Sequence, residues 1–470
     1  MAAYTTEALA ENGQAVPRSA GHSYIERPRY FCSFGGALST LEALPETIPV
    51  LHAAGGCAGS IAWGQNGGSG LQVGGYCGGL AVPSSNVGEK EVIFGGAKRL
   101  TEEIRGALQV MDGRLFVVIT SCVTEMIGDD VQAVVSEIRD EIQERGGDIS
   151  LAFARTGGFK GNSYYGYDLV MSALAEQFVQ KPEKTEQGLV NVFGIVPYMD
   201  SFWRGNLEGL RQTLELLGLR VNTFFSGGDS LDALRRSSEA ELNIVVSDVY
   251  GIETAQIYEK RFGVPWISLS LPIGPTASAA LLRQTAEALT IDGDVEGIIE
   301  QENKKFYRYL EPLTDLYFDA DLQRYAVIVA DANYAVALTR FLSDDLGWLP
   351  VLTQFTELFS EKEQRRLADK LSGPNGSGPL AVFDTNAGEA GKYLLELYPR
   401  RETDLYVDSL SPAFVIGSSL ERDLALKIGA PHLSVSFPVA NRAVLNRGYT
   451  GFSGGLTLTE DLLSAAVAGR

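Results

Sequence analysis

Apolar runs and amphipathic stretches alternate along the first third of the chain. Residues 115–120 are uniformly apolar and predict a buried strand of a parallel sheet. Residues 89–111 and 130–144 carry apolar side chains at helical spacing, so each predicts an amphipathic helix. Residues 40–51 predict a short helix and a turn, and residues 151–154 predict another strand. This β–α alternation is typical of α/β proteins with parallel sheets.

The remainder of the chain contains an internal repeat. Residues 190–225 predict a strand, a helix and a second strand, and residues 325–354 repeat that order. Each copy continues into a strand, a helix and a Gly-x-Pro turn, with the second copy's strand at residues 404–407. We therefore predict an α/β fold of three Rossmann-like domains, each a mainly parallel sheet flanked by helices.

The same patterns suggest domain boundaries. Residues 1–24 are small and polar and predict a loose N-terminal arm. The predicted domains are an α/β domain at 25–187, completed by the C-terminal residues 440–470, and Rossmann-like domains at 188–310 and 311–439.

Composition narrows the possible partners and the compartment. The chain has 470 residues and a formal net charge of −20, which argues against a nucleic-acid or anionic-membrane partner. It has no apolar run of transmembrane length, and its start lacks a signal peptide's basic and apolar segments. Four cysteines with no extracellular cue fit a reducing cytoplasm.

Three cysteines stand where the predicted fold has strand ends or glycine turns. Cys32 opens an apolar segment, Cys57 closes a Gly-Gly-Cys turn, and Cys122 follows the strand at 115–120. Zinc-finger cysteines come in pairs about two to four residues apart, unlike these. Only the fold can bring them together, which is what an iron–sulfur cluster on thiolates requires. Any one of them taken alone is equally compatible with a buried, inert thiol.

The segment from Cys32 to Asp130 resembles the β-type (K) subunit of nitrogenase component 1 and its reductase relatives. The resemblance rests on Cys32, Leu-His-Ala-Ala-Gly-Gly-Cys at 51–57, Glu-Val-Ile-Phe-Gly-Gly at 91–96 and Thr-Ser-Cys-Val-Thr-Glu-Met-Ile-Gly-Asp-Asp at 120–130. It implies that Cys32, Cys57 and Cys122 are metal ligands of an [8Fe-7S] P-cluster-type cofactor shared with a partner subunit. It also implies that Cys57 bridges the two halves of that cluster.

The resemblance also implies a division of labour between subunits. The family's catalytic subunit holds its cofactor through a late cysteine and a later histidine, whereas this chain has no cysteine after Cys122. The chain therefore resembles an electron-relay subunit of an oxidoreductase, with no catalytic residue of its own. The implied partners are a catalytic D-type subunit, in an α2β2 heterotetramer, and an ATP-dependent iron protein. Neither a phosphate loop nor G-x-G-x-x-G opening a helix occurs in the sequence.

Residue 158 helps to choose between relatives. Nitrogenase β subunits typically have a serine here that can ligate the oxidised cluster, and this chain has Gly158. The departure favours the K-type subunit of a nitrogenase-like methylthio-alkane reductase, which cleaves C–S bonds to release methanethiol. The alternatives are the β subunit of an alternative (vanadium or iron-only) nitrogenase, a non-catalytic cofactor-assembly scaffold and a metal-free α/β protein.

Several other residues carry narrower expectations. Cys77 lies in a glycine-rich stretch, residues 64–79, which predicts a flexible surface loop, and we interpret Cys77 as a spare thiol. His52 is either a hydrogen-bonding partner of a cluster sulfur or a core histidine. His432 is expected to be a core histidine. The Asp129–Asp130 pair is expected to cap the helix that follows it.

Overall fold

The computed structural model describes residues 2–5, 29–57, 68–72, 82–319, 321–373, 378–399 and 409–468. Its strands, in chain order, are β1 (Ala2–Thr5), β2 (Thr47–His52), β3 (Leu115–Thr120), β4 (Ser150–Ala154), β5 (Glu186–Phe193), β6 (Arg220–Asn222), β7 (Ala240–Val245), β8 (Trp266–Ser268), β9 (Tyr325–Ala330), β10 (Leu349–Phe355), β11 (Leu380–Phe383), β12 (Ala413–Gly417) and β13 (His432–Ser434).

The α-helices surround these strands. In chain order they are α1 (Ser33–Ala43), α2 (Glu89–Phe94), α3 (Ala97–Val110), α4 (Cys122–Met126), α5 (Val131–Arg145), α6 (Ser163–Gln177), α7 (Trp203–Glu215), α8 (Leu231–Arg235), α9 (Ile252–Phe262), α10 (Gly274–Leu289), α11 (Val295–Leu310), α12 (Thr314–Asp319), α13 (Ala332–Asp344), α14 (Glu361–Leu371), α15 (Ala390–Leu397), α16 (Arg422–Ile428) and α17 (Gly451–Ala468).

The strands form three sheets. The first has the order β2-β3-β4 and the second β6-β5-β7-β8, and both are parallel throughout. The third has the order β1-β11-β10-β9-β12-β13 and is parallel except for the antiparallel edge strand β1. The predicted fold class is therefore confirmed.

The described chain divides into two compact units. One comprises Tyr30–Leu207 and Gly218–Ser268 and contains the first two sheets. The other comprises Met1–Arg29, Glu208–Leu217 and Leu269–Arg470 and contains the third sheet. In this second unit the C-terminal helix α17 packs against α10 and α11. The domain boundaries predicted from the sequence remain a prediction.

The first sheet has a continuous apolar core. All six residues of β3 are buried, and α3 and α5 cover the face that carries Phe116 and Val118. The covering side chains are Leu100, Ile104, Val135 and Ile138. In the register of β2 and β3, His52 pairs with Thr120, so both strands end at the same level. The residues that follow these strands therefore share the carboxyl edge of the sheet, where open α/β sheets bind ligands.

Two local predictions in this region were wrong. The predicted helix at 89–111 is broken into α2 and α3, because Gly95 adopts φ +90° between them. Residues 47–52 form the strand β2 rather than a helix or turn. Pro49 is compatible with β2 because this strand lies at the edge of its sheet. The strand predicted at 404–407 lies outside the described residues.

Helices α1 and α6 of the first unit are in backbone contact. An added methyl group at Gly36 would come within 1.6 Å of the Ser163 carbonyl oxygen, and one at Gly166 within 2.2 Å of the Ser33 carbonyl oxygen. Glycine at both positions therefore allows the first turns of the two helices to meet directly.

Among the described residues, no helix combines the length and the apolar character that crossing a lipid bilayer requires.

Candidate functional site

Cys122 lies at the carboxyl edge of the first sheet, as the first residue of α4. The N–H of Ser121, the N-cap residue, donates to the His52 carbonyl oxygen at 3.1 Å. The Thr124 hydroxyl donates to the same carbonyl oxygen at 2.9 Å. These two contacts fasten the start of α4 to the end of β2 and so fix the backbone that carries Cys122.

Cys32 is held against the segment that follows β4. It is the N-cap residue of α1 and forms an isolated antiparallel bridge with Asn162. The next residue, Ser33, donates its N–H to the Gly161 carbonyl oxygen at 2.9 Å and its hydroxyl to the Gly157 carbonyl oxygen at 3.0 Å. The segment 157–162 thus determines where Cys32 lies.

Gly158 lies between these two cysteines. Its N–H donates to the Sγ of Cys122 at 3.1 Å. A methyl group added to Gly158 would be 3.0 Å from the Sγ of Cys122 and 3.0 Å from the Sγ of Cys32. The two sulfur atoms are therefore no further apart than twice that distance, although the cysteines are far apart in sequence.

Cys57 interacts electrostatically with Cys32 and Cys122. It lies in a short helical turn, and its N–H donates to the Ala54 carbonyl oxygen at 3.1 Å. Burial raises the pKa of the Cys57 thiol above its ordinary value, and the charges of Cys32 and Cys122 raise it further. A bound cation lowers thiol pKa values, so three mutually repelling thiolates are suited to a site with positive metal charge.

These thiols fit an iron–sulfur cluster better than a single metal ion. All three are free and partly exposed, so none forms a disulfide within the described residues. No group of three His, Cys, Asp or Glu side chains in the described part of the chain converges on one metal-ion position. A cluster of several irons places its thiolate ligands on separate iron atoms, so it needs neighbouring thiolates but no shared point.

Comparison with known proteins identifies the family. A family model described as nitrogenase component 1 type oxidoreductase matches residues 32–466. The chain belongs to this family. It is an oxidoreductase family, and the general recognition made from residues 32–130 is confirmed.

The chain is also similar to individual relatives and to a solved structure. The nitrogenase iron-iron protein beta chain of Rhodobacter capsulatus is 24% identical over 411 residues, covering 82% of this chain and 83% of that protein. The nitrogenase iron-molybdenum cofactor biosynthesis protein NifE of Methanococcus maripaludis is 24% identical over 428 residues, covering 90% and 80%. The solved structure named Nitrogenase Cp1 at pH 6.5 has a TM-score of 0.77 at 16% identity, covers 98% of this chain and 96% of that one, and shows the shared fold.

Within this component 1 fold, His52 is a core histidine. Its side chain is fully buried, with Nδ1 2.9 Å from the Ser85 hydroxyl and Nε2 2.9 Å from Oδ2 of Asp129. Burial lowers the pKa of His52 more than the Asp129 carboxylate raises it, so the ring is neutral at pH 7. A neutral ring donates from Nε2 to the carboxylate and accepts at Nδ1 from Ser85. Both ring nitrogens are thus engaged away from the cysteines.

The two aspartates before α5 have different roles. Asp130 is the N-cap residue and accepts from the Ala133 N–H at 3.0 Å, as predicted. The Asp129 side chain instead accepts from the Gly96 N–H at 2.8 Å and contacts His52. Its predicted capping role was wrong, because a tertiary contact more than thirty residues away in sequence takes the carboxylate.

Sequence reasoning missed Glu125, three residues after Cys122. Its Oε1 accepts from the Gly157 N–H at 2.7 Å and from the Thr120 hydroxyl at 2.6 Å, and its Oε2 lies 3.2 Å from Nζ of Lys160. These partners belong to β3 and to the segment after β4. Nothing in the spacing of residues 120–130 indicated that Glu125 reaches that segment.

Part of the glycine-rich stretch is packed. Cys77 and most of residues 64–79 lie outside the described residues, whereas 68–72 are described. Ser69 is fully buried and its hydroxyl donates to the Tyr198 carbonyl oxygen at 2.8 Å, and the Gln72 amide donates to the Ser201 carbonyl oxygen at 2.7 Å. For these five residues the predicted flexible surface loop was wrong, because buried side chains tie them to residues 198–201.

Large apolar side chains are exposed on α2, on α4 and next to Gly158. Phe94 at the end of α2 is 80% exposed and Met126 at the end of α4 is 79% exposed, and Ile93 and Phe159 are also exposed. His432 is partly buried, and its Nε2 lies 2.9 Å from the Ser418 carbonyl oxygen. This is the position expected for a core histidine whose ring is hydrogen-bonded within the fold.

Proposed function

We propose that this chain is the electron-relay subunit of a nitrogenase-like reductase. The observation that supports this most directly is the close approach of Cys32 and Cys122 around Gly158. The charges of both cysteines also act on the Cys57 thiol. In this proposal the three thiolates are this chain's ligands to an [8Fe-7S] P-cluster-type cofactor, and Cys57 is the bridging ligand. Such a cluster supplies low-potential one-electron chemistry.

The chain's own residues would present that cofactor to a partner. All three cysteines are partly exposed. The exposed Met126 lies on α4 with Cys122 and the exposed Phe159 follows Gly158, and in this proposal both need a cover. We assign that cover to a catalytic D-type subunit, in an α2β2 heterotetramer, and to an ATP-dependent iron protein that delivers electrons. Cytoplasmic location follows as part of the same proposal.

For the substrate, we propose reductive C–S cleavage of methylthio-alkanes. Two electrons and two protons convert the thioether into a hydrocarbon and methanethiol, because each fragment gains one hydrogen as the C–S bond breaks. The feature that favours this reading is Gly158, which stands where nitrogenase β subunits typically have a serine that can ligate the oxidised cluster. The reaction itself is assigned to the partner's cofactor, and this chain contributes no catalytic residue.

Two other functions have specific support. The relative named as an iron-iron protein beta chain favours an alternative nitrogenase that reduces N2. The relative named as a cofactor biosynthesis protein favours an assembly scaffold without turnover. Assays of the purified complex for methanethiol from a methylthio-alkane and for ammonia from N2 separate the three: one product identifies either reductase, and neither product supports the scaffold.

Oxygen-free co-purification with the natural partner tests the relay. We expect iron and acid-labile sulfide in the complex, with the largest loss in Cys57→Ala because a bridging thiolate contacts the most iron. Cys32→Ala and Cys122→Ala should lose iron too, and Cys77→Ala should keep it. Cys57→Ala should also stop product formation while nucleotide binding by the iron protein is unchanged. Normal turnover without the cluster, or equal iron loss in Cys77→Ala and Cys122→Ala, contradicts the proposal.

A further inference from the structure

The segment after β4 is braced where it passes the cysteines. The Gly157 N–H donates to Oε1 of Glu125 at 2.7 Å, and the Thr156 N–H donates to the Thr120 hydroxyl at 3.0 Å. That hydroxyl in turn donates to the same Glu125 oxygen at 2.6 Å. One carboxylate oxygen therefore connects the end of β3 with two successive residues of the segment.

Gly157 and Glu125 approach more closely than a side chain would allow. A methyl group added to Gly157 would come within 3.0 Å of the Glu125 carboxyl carbon and 2.9 Å of the Phe159 ring. The approach aligns the backbone so that the next amide, Gly158 N–H, donates to the Sγ of Cys122 at 3.1 Å. The position of this N–H on the sulfur thus depends on the position of Gly157.

We propose that Glu125 is a positioning residue that holds the Gly158 amide on the Cys122 sulfur and thereby raises the reduction potential of the cluster bound there. The inference rests on the proposed function. Reduction adds negative charge that spreads onto the thiolate sulfurs, and an N–H dipole aimed at a sulfur stabilises that charge. The reduced state is favoured, so the midpoint potential is more positive than it would be without the hydrogen bond.

The negative charge of Glu125 acts on the reduction potential in the opposite direction to the hydrogen bond, so the experiment must separate the two effects. A carboxylate near the cluster disfavours reduction, but Lys160 lies 3.2 Å from Oε2 of Glu125 and also donates to the Arg155 carbonyl oxygen at 2.8 Å. The ammonium group therefore offsets part of the carboxylate charge. A variant that removes only the charge must be compared with one that removes the charge and the hydrogen-bond acceptor together.

Glu125→Gln and Glu125→Ala form this matched pair. Both lose the carboxylate charge, but glutamine keeps an oxygen that accepts from Gly157 N–H, and alanine does not. In the oxygen-free complex, an EPR-monitored redox titration should give a more negative midpoint potential for the alanine variant than for the glutamine variant. Hydrogen–deuterium exchange of residues 155–161 should be roughly fivefold to tenfold faster in the alanine variant, since a backbone hydrogen bond contributes about 1 kcal/mol.

Thr120→Val is the second variant, because it removes the hydroxyl that joins Glu125 to Thr156 and changes no charge. It should shift the midpoint potential in the same negative direction. If Glu125→Ala loads no iron, the potential of Thr120→Val tests the inference in its place. Equal potentials and equal exchange in Glu125→Gln and Glu125→Ala, or an unchanged potential in iron-replete Thr120→Val, would overturn the inference. Absence of iron from the wild-type complex counts against the proposed function instead, and the exchange comparison still tests the positioning.

Discussion

His52 and Asp129 form a buried pair at the carboxyl edge of the first sheet, with Nε2 and Oδ2 2.9 Å apart. The other carboxylate oxygen accepts the Gly96 N–H at 2.8 Å. A methyl group at Gly96 would approach Asp129 to 2.6 Å and the His52 ring to 3.0 Å, so glycine is required there. One carboxylate thus connects the end of β2, the residue before α3 and the residue before the cap of α5.

The first prediction follows from this pair. Asp129→Ala leaves the His52 ring N–H and the Gly96 N–H without their acceptor, and each unpaired buried donor costs about 1–3 kcal/mol. We expect the free energy of unfolding to fall by about 2–6 kcal/mol, measured by urea denaturation. Asp130→Ala is the matched control and should cost about 1 kcal/mol, as the loss of a helix cap does. Equal losses in the two variants would contradict the role given to Asp129.

The second prediction concerns the space beside the sulfurs. Gly158→Ala places a methyl group 3.0 Å from both Sγ atoms and 2.9 Å from Cβ of Cys32, so either the segment or the cysteine side chains must shift. We expect part of the iron to be lost from the purified complex and stability to fall by about 1–3 kcal/mol, as in other overpacked sites. Gly106→Ala, where nothing lies within 4 Å, should keep wild-type iron. Full iron in Gly158→Ala would show that the site does not need this glycine.

The third prediction concerns pH and the third sheet. Glu357 is fully buried; its Oε2 accepts from Ala332 N–H at 2.8 Å, and its Oε1 has no hydrogen-bond partner among the described residues. Burial raises the pKa of Glu357 from 4.5 to about 8. The unfolded chain therefore releases this proton at a lower pH than the folded chain does. The contribution of Glu357 to the free energy of unfolding is complete below pH 4.5 and is lost as pH rises from 4.5 to 8.

Glu357→Gln removes this titration. Its unfolding free energy should decline less between pH 5 and pH 8 than that of the wild type, by up to about 1.4 kcal/mol for each pH unit. The exposed control Glu361→Gln should follow the wild-type profile. Parallel profiles for Glu357→Gln and the wild type would show that Glu357 is ionised in the folded chain.

The sequence was informative where local pattern decides structure. Strand β3 and helix α5 were predicted within one or two residues, because an apolar run and helical spacing are local signals. The structure also brings Cys32 and Cys122 to one place, although their assignment as ligands stays a prediction. Glu125 and Asp129 could not be predicted, because their roles depend on partners more than thirty residues away in sequence.

The backbone contact of α1 with α6 bears on how the site comes to exist. Gly36 and Gly166 let the two helices meet at the turns that carry Cys32 and Asn162, and Ser33 joins them by hydrogen bonds. The backbone conformational entropy of Cys32 is therefore lost when these helices pack, and no metal contact is needed for that packing. If the proposed cluster is inserted here, the backbone that carries the Cys32 thiol needs no further folding step, so the rate of insertion should depend on how quickly the cofactor is delivered.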